Sequence, residues 1–286
     1  MTRSRTALDY SRRIDRVIAH IADHLDETLE LPDLAQIASF SPYHFHRIYR
    51  SITGETVADT LRRLRLHRAA GDLVMGTLAV AAIARRAGYG SVAAFTRSFG
   101  AVYGVTPARY RQQGRLVMPD ASTSNPELPM QSVTIADRSP IRLAALPHQG
   151  SYMEIGATFD RLMAWAAPRG LLGPGTRSFG IYYDDPNAVP AAKLHSEATL
   201  SIPDDMTKVD APARIVDLAG GRHAVLRHKG PYAELENAYR WLYKEWLPQS
   251  GEEPADRPCF EEYLNNPRDL PPAEWLTDIC LPLAPR

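Results

Sequence analysis

The sequence predicts a protein of two domains: an all-α half with two helix-turn-helix units, then an α+β half built from a duplicated β-β-α-β-β unit. Three observations support this fold class. The apolar pattern has a helical period only in the front half, each half contains its own internal repeat, and a proline- and serine-rich segment separates them. We place the domains at 1–115 and 131–286, with a linker at 116–130.

The formal net charge of zero hides an uneven distribution. Residues 1–120 hold 17 arginines, no lysine and 11 acidic residues, a net charge of +6, whereas the remainder holds 16 basic and 22 acidic residues, a net charge of −6. A basic front half favours a polyanionic partner for that half alone. Cys259 and Cys280 match neither a metal-site spacing nor a secretory disulfide framework.

No apolar stretch approaches the roughly 20 residues that a membrane span needs. We therefore expect a cytoplasmic protein that is neither exported nor embedded in a membrane. His20 and His24 lie one helical turn apart, but without a third ligand in view they favour a solvated pair. The sequence predicts neither a metal nor a cofactor.

The first helix-turn-helix unit follows an amphipathic helix whose apolar residues recur through residues 14–25. Residues 31–38 predict a short helix, and Ser41 and Pro42 then begin another, as N-cap and first-turn residue. The layout makes this second helix the one that enters a DNA major groove, and we call it the first reading helix. Its outward side chains are Tyr43, His46, Arg47 and Arg50.

The same plan recurs 50 residues later, where residues 95–99 repeat the pattern of residues 45–49. Residues 80–87 predict the short helix, and Ser91 begins the second reading helix. Between the units, residues 57–73 predict a helix of roughly 25 Å, which sets the two reading helices about one DNA turn apart. We expect both to project from one side toward consecutive grooves. The outward side chains of the second reading helix are Ala93, Thr96 and Arg97.

Residues 10–115, with their closing 104–110 segment GVTPARY, resemble the DNA-binding domain of the AraC/XylS family of transcription regulators. The resemblance implies seven helices in two homeodomain-like units, and a double-stranded DNA operator as partner. It also implies that the outward residues of both reading helices face DNA. For the four arginines of the connecting helix, phosphate contact and simple solvation stay equally open. RNA polymerase as a further partner, and the choice between monomer and homodimer, also stay open.

The back half contains a second duplication. Residues 133–154 and 213–234 share 9 identities in 22 positions, and strand and helix patterns follow in the same order in both. We expect the two units to lie side by side in one antiparallel sheet. A helix pair would cover one face, and a concave groove would separate the repeats.

Residues 130–286 resemble the gyrase-inhibitor-like (GyrI-like) effector-binding domain of multidrug-responsive regulators, on the strand motif of residues 260–263 (FEEY). The resemblance implies a groove for a small lipophilic, often cationic effector, with Glu261 facing the ligand. Strand alternation places Glu261 and Tyr263 on one face and Phe260 and Glu262 on the other, and by itself it leaves open which of the two acids faces the groove. Position 180, the equivalent of Glu261 in the first repeat, is glycine, so the acid is expected on one side of the groove only. The other candidates for the aromatic wall are Trp165, Tyr182, Tyr239 and Trp275.

Two other functions stay open for the back half. Some relatives of this fold hydrolyse small molecules, and Glu261 beside Tyr263 or Tyr182 would serve as a base if burial raised its pKa. A gyrase-interacting module is the other. We favour a DNA-binding regulator that is not an enzyme, because a hydrolase would have no use for the front half.

Overall fold

The computed structural model describes residues 5–114 and 131–285, so the predicted linker at 116–130 lies outside the described residues. Residues 5–114 form seven α-helices, the number that the resemblance implies. They are α1 (Arg5–Asp23), α2 (Leu31–Ala38), α3 (Pro42–Thr53), α4 (Val57–Met75), α5 (Val80–Arg86), α6 (Val92–Tyr103) and α7 (Pro107–Gln113).

The two reading helices, α3 and α6, begin at the predicted residues. The Ser41 hydroxyl accepts a hydrogen bond from the amide of Tyr43, and the Ser91 hydroxyl accepts one from the amide of Ala94. Each bond satisfies one of the amides that a helix start leaves unpaired. The N-cap predictions are confirmed.

The arginines of α4 have partners within the front half. Arg65 donates to the carbonyl oxygens of Leu25 and Glu27, and Arg68 to the carboxylate of Asp26. The other two pair with nearby acids, Arg62 with Asp59 and Arg63 with Glu55. These contacts brace α4, the connecting helix, against the first helix-turn-helix unit and against its own N-terminal turn.

The back half contains one antiparallel sheet of eight strands in the order β1-β6-β8-β7-β3-β4-β2-β5. The helix of the first repeat is α8 (Gly156–Ala166); that of the second comprises α9 (Leu235–Trp241), a π-helical turn (Leu242–Trp246) and α10 (Leu247–Ser250). The strands are β1 (Val133–Arg138), β2 (Ile141–Gln149), β3 (Ser178–Tyr182), β4 (His195–Ser201), β5 (Arg214–Leu218), β6 (Gly221–Lys229), β7 (Cys259–Tyr263) and β8 (Leu276–Pro282).

The two repeats share one antiparallel sheet, as the duplication predicts, and within it they exchange their first strands. β1 pairs with β6 of the second repeat, and β5 pairs with β2 of the first. Only Ser139 and Pro140 separate β1 from β2, and they lack the Asn-Gly or Asp-Gly character that a two-residue hairpin favours. The chain therefore crosses to the other repeat, and β3 and β7 meet at the centre of the sheet.

The two halves share one apolar core. Buried residues of α1 and α3, among them Ile14 and Phe45, belong to the same cluster as Trp241, Leu242 and Leu247 of the second repeat. The second helix-turn-helix unit and the first repeat each have a separate cluster. The sequence predicts a core for each domain, whereas the first helix-turn-helix unit packs directly on the sensor half.

Candidate functional site

A cavity of about 1000 Å³ lies between the two repeats and is bordered on one side by α3. Its walls come from the helices of both repeats, from the central strands β3 and β7, and from the first reading helix. A cavity of this size suits a drug-sized ligand. The lining includes the predicted residues Glu261, Tyr263, Tyr182 and Tyr239, and the two arginines Arg47 and Arg50.

Glu261 is the more deeply buried of the two buried acids in the cavity wall, the other being Asp185. The Glu261 side chain is 4% exposed, and both carboxylate oxygens accept hydrogen bonds, from the Tyr263 hydroxyl at 3.0 Å and the Tyr239 hydroxyl at 3.1 Å. Tyr182 extends the network, with its hydroxyl 2.6 Å from that of Tyr263. Burial raises the pKa of Glu261 to about 7, although these bonds and the charge of Arg47 oppose the rise.

Gly180 makes room for this network. It lies directly opposite Glu261 in the pairing of β3 with β7. A Cβ atom at this position would lie 2.7 Å from the Tyr263 hydroxyl and 2.8 Å from the Tyr182 ring, well inside van der Waals contact. The absence of a side chain in the first repeat is therefore what lets two tyrosines surround the acid of the second.

We expect Gly180→Ala to lower the free energy of unfolding by about 1–2 kcal/mol, because overpacking forces the rings of Tyr182 and Tyr263 away from Glu261. Urea unfolding followed by tryptophan fluorescence measures the loss. Gly71→Ala is the matched control, since nothing lies near its Cβ position in α4 and alanine favours a helix. A Gly180→Ala protein as stable as the Gly71→Ala protein would contradict the packing argument.

Trp165 and Trp275 lie outside the cavity, which corrects their prediction as wall residues. Trp165 packs in the core of the first repeat, with the Arg169 guanidinium 4.7 Å from its ring centre. Trp275 stacks on Tyr232 with 4.5 Å between ring centres, and its indole N–H donates to the carbonyl oxygen of Leu270. Sequence reasoning missed four aromatic residues of the wall: Tyr152, Phe159, Tyr232 and Tyr243.

The duplication in the sequence contained a signal for two of these four residues. Tyr152 and Tyr232 are equivalent positions of the duplication, and each opens the helix of its repeat. In the structure the Tyr152 ring packs edge-on against Tyr182, and the Tyr232 ring against Tyr263. The repeat thus places one further tyrosine on each side of the acid.

The outward face of the second reading helix is accessible to solvent. Ala93 and Arg97 of α6 are exposed and Thr96 is half-buried, so these side chains lie on an accessible surface. Phe95 and Phe99 fill the core beneath them, as the helical period predicts.

The first reading helix is covered by the sensor half. The Arg47 guanidinium lies 4.9 Å from the centre of the Tyr239 ring and 5.7 Å from that of Tyr243, and it donates to the carbonyl oxygen of Asp184. Arg47 therefore lies in the domain interface while Arg97 is exposed, so only the second reading helix presents its repeated arginine to solvent. The helical period correctly places Arg47 away from the core of its own unit, but it contains no information about the partner domain.

The other predicted side chains of α3 lie in the same interface. The ring centre of Tyr43 is 6.5 Å from that of Tyr183, and Arg50 lies 3.9 Å from the carboxylate of Glu236. The Nε2 atom of His46 is buried without a hydrogen-bond partner among the described residues.

His44 connects α3 to the interface from the buried side. It is fully buried, and burial, with the charge of Arg47, lowers its pKa to about 3, so the ring is neutral. A carbonyl oxygen only accepts, so Nε2 carries the proton and donates to the carbonyl oxygen of Ala255 at 3.1 Å. Nδ1 then accepts from the Tyr243 hydroxyl at 2.7 Å.

The described residues contain no cluster of three side chains suited to a metal ion, and His20 and His24 simply stack with 4.0 Å between ring centres. None of the helices in the described ranges has the length and apolar character to cross a membrane.

Comparison with known proteins gives matches to both halves. Residues 131–284 match the model of the GyrI-like small molecule binding domain, and residues 34–113 match that of a helix-turn-helix domain. A DNA gyrase inhibitor of Erwinia billingiae is 30% identical over 128 residues, which are 44% of this chain and 79% of that protein. The HTH-type transcriptional regulator YbfP of Bacillus subtilis is 35% identical over 102 residues, 36% of this chain and 35% of that protein. Among solved structures, the EcmrR C-terminal domain superposes with a TM-score of 0.44 at 18% identity, covering 55% of this chain and 99% of that one.

Proposed function

Since the chain belongs to the GyrI-like small-molecule-binding family and carries an AraC-type helix-turn-helix domain, it is a ligand-sensing transcription regulator, and we propose that its effectors are lipophilic cations. The observation that carries the proposal is the buried carboxylate of Glu261 inside a tyrosine-lined cavity. We further propose that DNA is contacted through α3 and α6. The proposed DNA-facing residues are Tyr43, His46, Arg47, Arg50, Ala93, Thr96 and Arg97.

The chemistry of the cavity favours a cation. Tyrosine ring faces attract positive charge, and a carboxylate in a water-poor site offsets the loss of the ligand's hydration. Glu261 has a pKa of about 7, so a bound cation would hold its carboxyl group in the ionised form. The apolar parts of Phe159 and Met163, also in the wall, supply contacts for the lipophilic portion.

We expect Glu261→Gln to weaken binding of tetraphenylphosphonium about tenfold and to leave binding of the neutral triphenylphosphine oxide unchanged, because only the charge is removed. Isothermal titration calorimetry at pH 8, where Glu261 is ionised, measures both affinities. Glu274→Gln, which removes an exposed carboxylate outside the cavity, is the control. Equal losses for the cation and the neutral compound would rule out a cation-selective site.

We expect Arg97→Ala to weaken binding to a selected operator duplex about tenfold and to reduce discrimination against unrelated duplex, because an exposed arginine on a reading helix contacts base edges. Fluorescence anisotropy over a range of salt concentrations measures both effects. Arg12→Ala removes an exposed arginine of α1 and controls for the general loss of charge. If both variants lost the same affinity for every duplex, Arg97 would not contribute to sequence discrimination.

A hydrolase is the second candidate, because a carboxyl group with a pKa of about 7 is suited to general base catalysis. Ester turnover that Glu261→Gln abolishes, with DNA binding unchanged, would favour it. The similarity to a gyrase inhibitor suggests a third test, in which the purified protein is added to a supercoiling reaction without any small molecule. An effect there would favour the interaction module.

A further inference from the structure

The cavity already contains a cation. The guanidinium of Arg47 lies over the faces of Tyr239 and Tyr243, in the geometry that lets a positive charge interact with the ring electrons. Tyr239 is also the residue that donates a hydrogen bond to Glu261. We call the four tyrosines at this end of the cavity the tyrosine cage: Tyr182, Tyr239, Tyr243 and Tyr263.

Arg47 also interacts electrostatically with the acid of the cage. Its charge is among the causes that oppose the rise in the pKa of Glu261, so the carboxylate and the guanidinium partly neutralise each other. The guanidinium also donates a hydrogen bond to the carbonyl oxygen of Asp184, at the rim of the first repeat. The side chain thus makes the ring-face contacts that the proposed cationic effector would make, and its charge acts on the same acid.

The same contact covers the first reading helix. The Ser41 hydroxyl donates to the carboxylate of Asp256, Tyr43 packs toward Tyr183, and Arg50 approaches Glu236. A helix that enters a major groove needs this face free, since the groove is only about 12 Å wide. The sensor half and a DNA groove therefore cannot occupy α3 together, whereas α6 stays accessible.

We infer that Arg47 is a tethered occupant of the effector site, so that a cation in the tyrosine cage and the covered arrangement of the first reading helix exclude each other. The inference rests on the proposed function. Entry of a cation places two like charges over the same rings, and release of Arg47 relieves their repulsion. The residue that the family resemblance assigns to DNA then leaves the cavity together with the helix that carries it.

The test uses the full-length protein and tetraphenylphosphonium. Arg47→Met keeps an unbranched side chain and removes the charge, and we expect it to bind the cation about tenfold more tightly than the unaltered protein. Arg161→Met is the matched control, because Arg161 is an exposed arginine of α8 that does not line the cavity, and we expect a change of less than about threefold. A purely structural Arg47 predicts the opposite, a cage that loses its shape and binds the cation more weakly.

A second measurement uses only the unaltered protein, so it does not depend on the folding of a variant. Hydrogen exchange of the amides of α3 should accelerate when tetraphenylphosphonium is added, while exchange in α6 should not change. Tight binding of the cation with no change in Arg47→Met affinity and no acceleration in α3 would overturn the inference and leave the proposed function intact. Absence of cation binding in the unaltered protein and in Arg47→Met alike would overturn both.

Discussion

Replacing Glu262 by glutamine is expected to lower the free energy of unfolding by about 3 kcal/mol at pH 7, the loss typical of a broken buried ion pair. Glu262 is 6% exposed on the face of β7 opposite the cavity. Its carboxylate accepts hydrogen bonds from Arg138 and, at 2.7 Å, from Arg177. Without the negative charge, the guanidinium groups of Arg138, which is 16% exposed, and of Arg177, which is 42% exposed, stay close together without the acid that they share.

The pH dependence of this effect follows from the pKa of Glu262. Burial alone would raise the pKa, but the hydrogen bonds from Arg177 and Arg138 outweigh it and hold it below its ordinary value of 4.5. A carboxyl group with a lowered folded-state pKa stabilises the fold above its ordinary pKa and loses this contribution as the pH falls. The difference between the two proteins should therefore shrink below about pH 4.5.

Urea unfolding at pH 7 and pH 4 measures both parts of the prediction. Asp217→Asn is the control, since Asp217 pairs with Arg142 on the surface and is 63% exposed. A surface ion pair contributes less than about 1 kcal/mol. Similar losses of unfolding free energy in the two variants would show that the burial of Glu262 does not strengthen its ion pairs.

The second large effect is expected at the interface between the halves, which should open as the pH falls. His44 has a pKa of about 3 in the covered arrangement, against an ordinary value of 6.5 once solvent reaches it. The open form therefore binds a proton more readily. The equilibrium constant for closing the interface has its full value above pH 6.5 and falls about tenfold per pH unit below it.

The surroundings of His44 support this sign. Arg47 lies on one side, Tyr243 and the buried thiol of Cys259 lie on another, and Asp256 is the acid that opposes the shift. Hydrogen exchange of the α3 amides, corrected for the intrinsic effect of pH, should show about eightfold lower protection at pH 5 than at pH 6. His44→Gln keeps a donor for the carbonyl oxygen of Ala255 without a titrating ring.

Protection in the His44→Gln protein should be nearly constant between pH 6 and pH 5. The carboxyl group of Glu261, with a pKa of about 7, is already mostly protonated there and contributes little to the difference. Equal pH dependence in the two proteins would assign the opening to another group.

Local patterns in the sequence were sufficient for the parts of the fold that depend on neighbours in the chain. Ser41 and Ser91 predict the starts of both reading helices because an N-cap acts within three residues. Strand alternation separates Glu261, which lines the cavity, from Glu262, which lies on the opposite face, because successive side chains of a strand point to opposite sides. The duplication correctly predicts a glycine opposite Glu261, but its expectation of an acid on one side only is wrong, because Asp160 and Asp185 of the first repeat also line the cavity.

The features that sequence reasoning missed all depend on distant partners. Arg47 meets Tyr239 almost 200 residues away in the sequence, and the helical period cannot distinguish a surface that faces solvent from one that faces another domain. Strand exchange depends on which edge a strand meets after a crossover, which alternation does not encode. Trp165 satisfies the same apolar pattern whether it lines a core or a cavity.

The exchanged strands have an evolutionary consequence. A single β-β-α-β-β unit that lends its first strand elsewhere leaves its own sheet incomplete, so an ancestral unit of this design would be stable only as a symmetric pair. In such a pair the positions of Gly180 and Glu261 would be identical and would lie directly opposite each other. Two carboxylates there would repel each other, whereas a chain that carries both units can keep the acid in one unit and lose the side chain in the other.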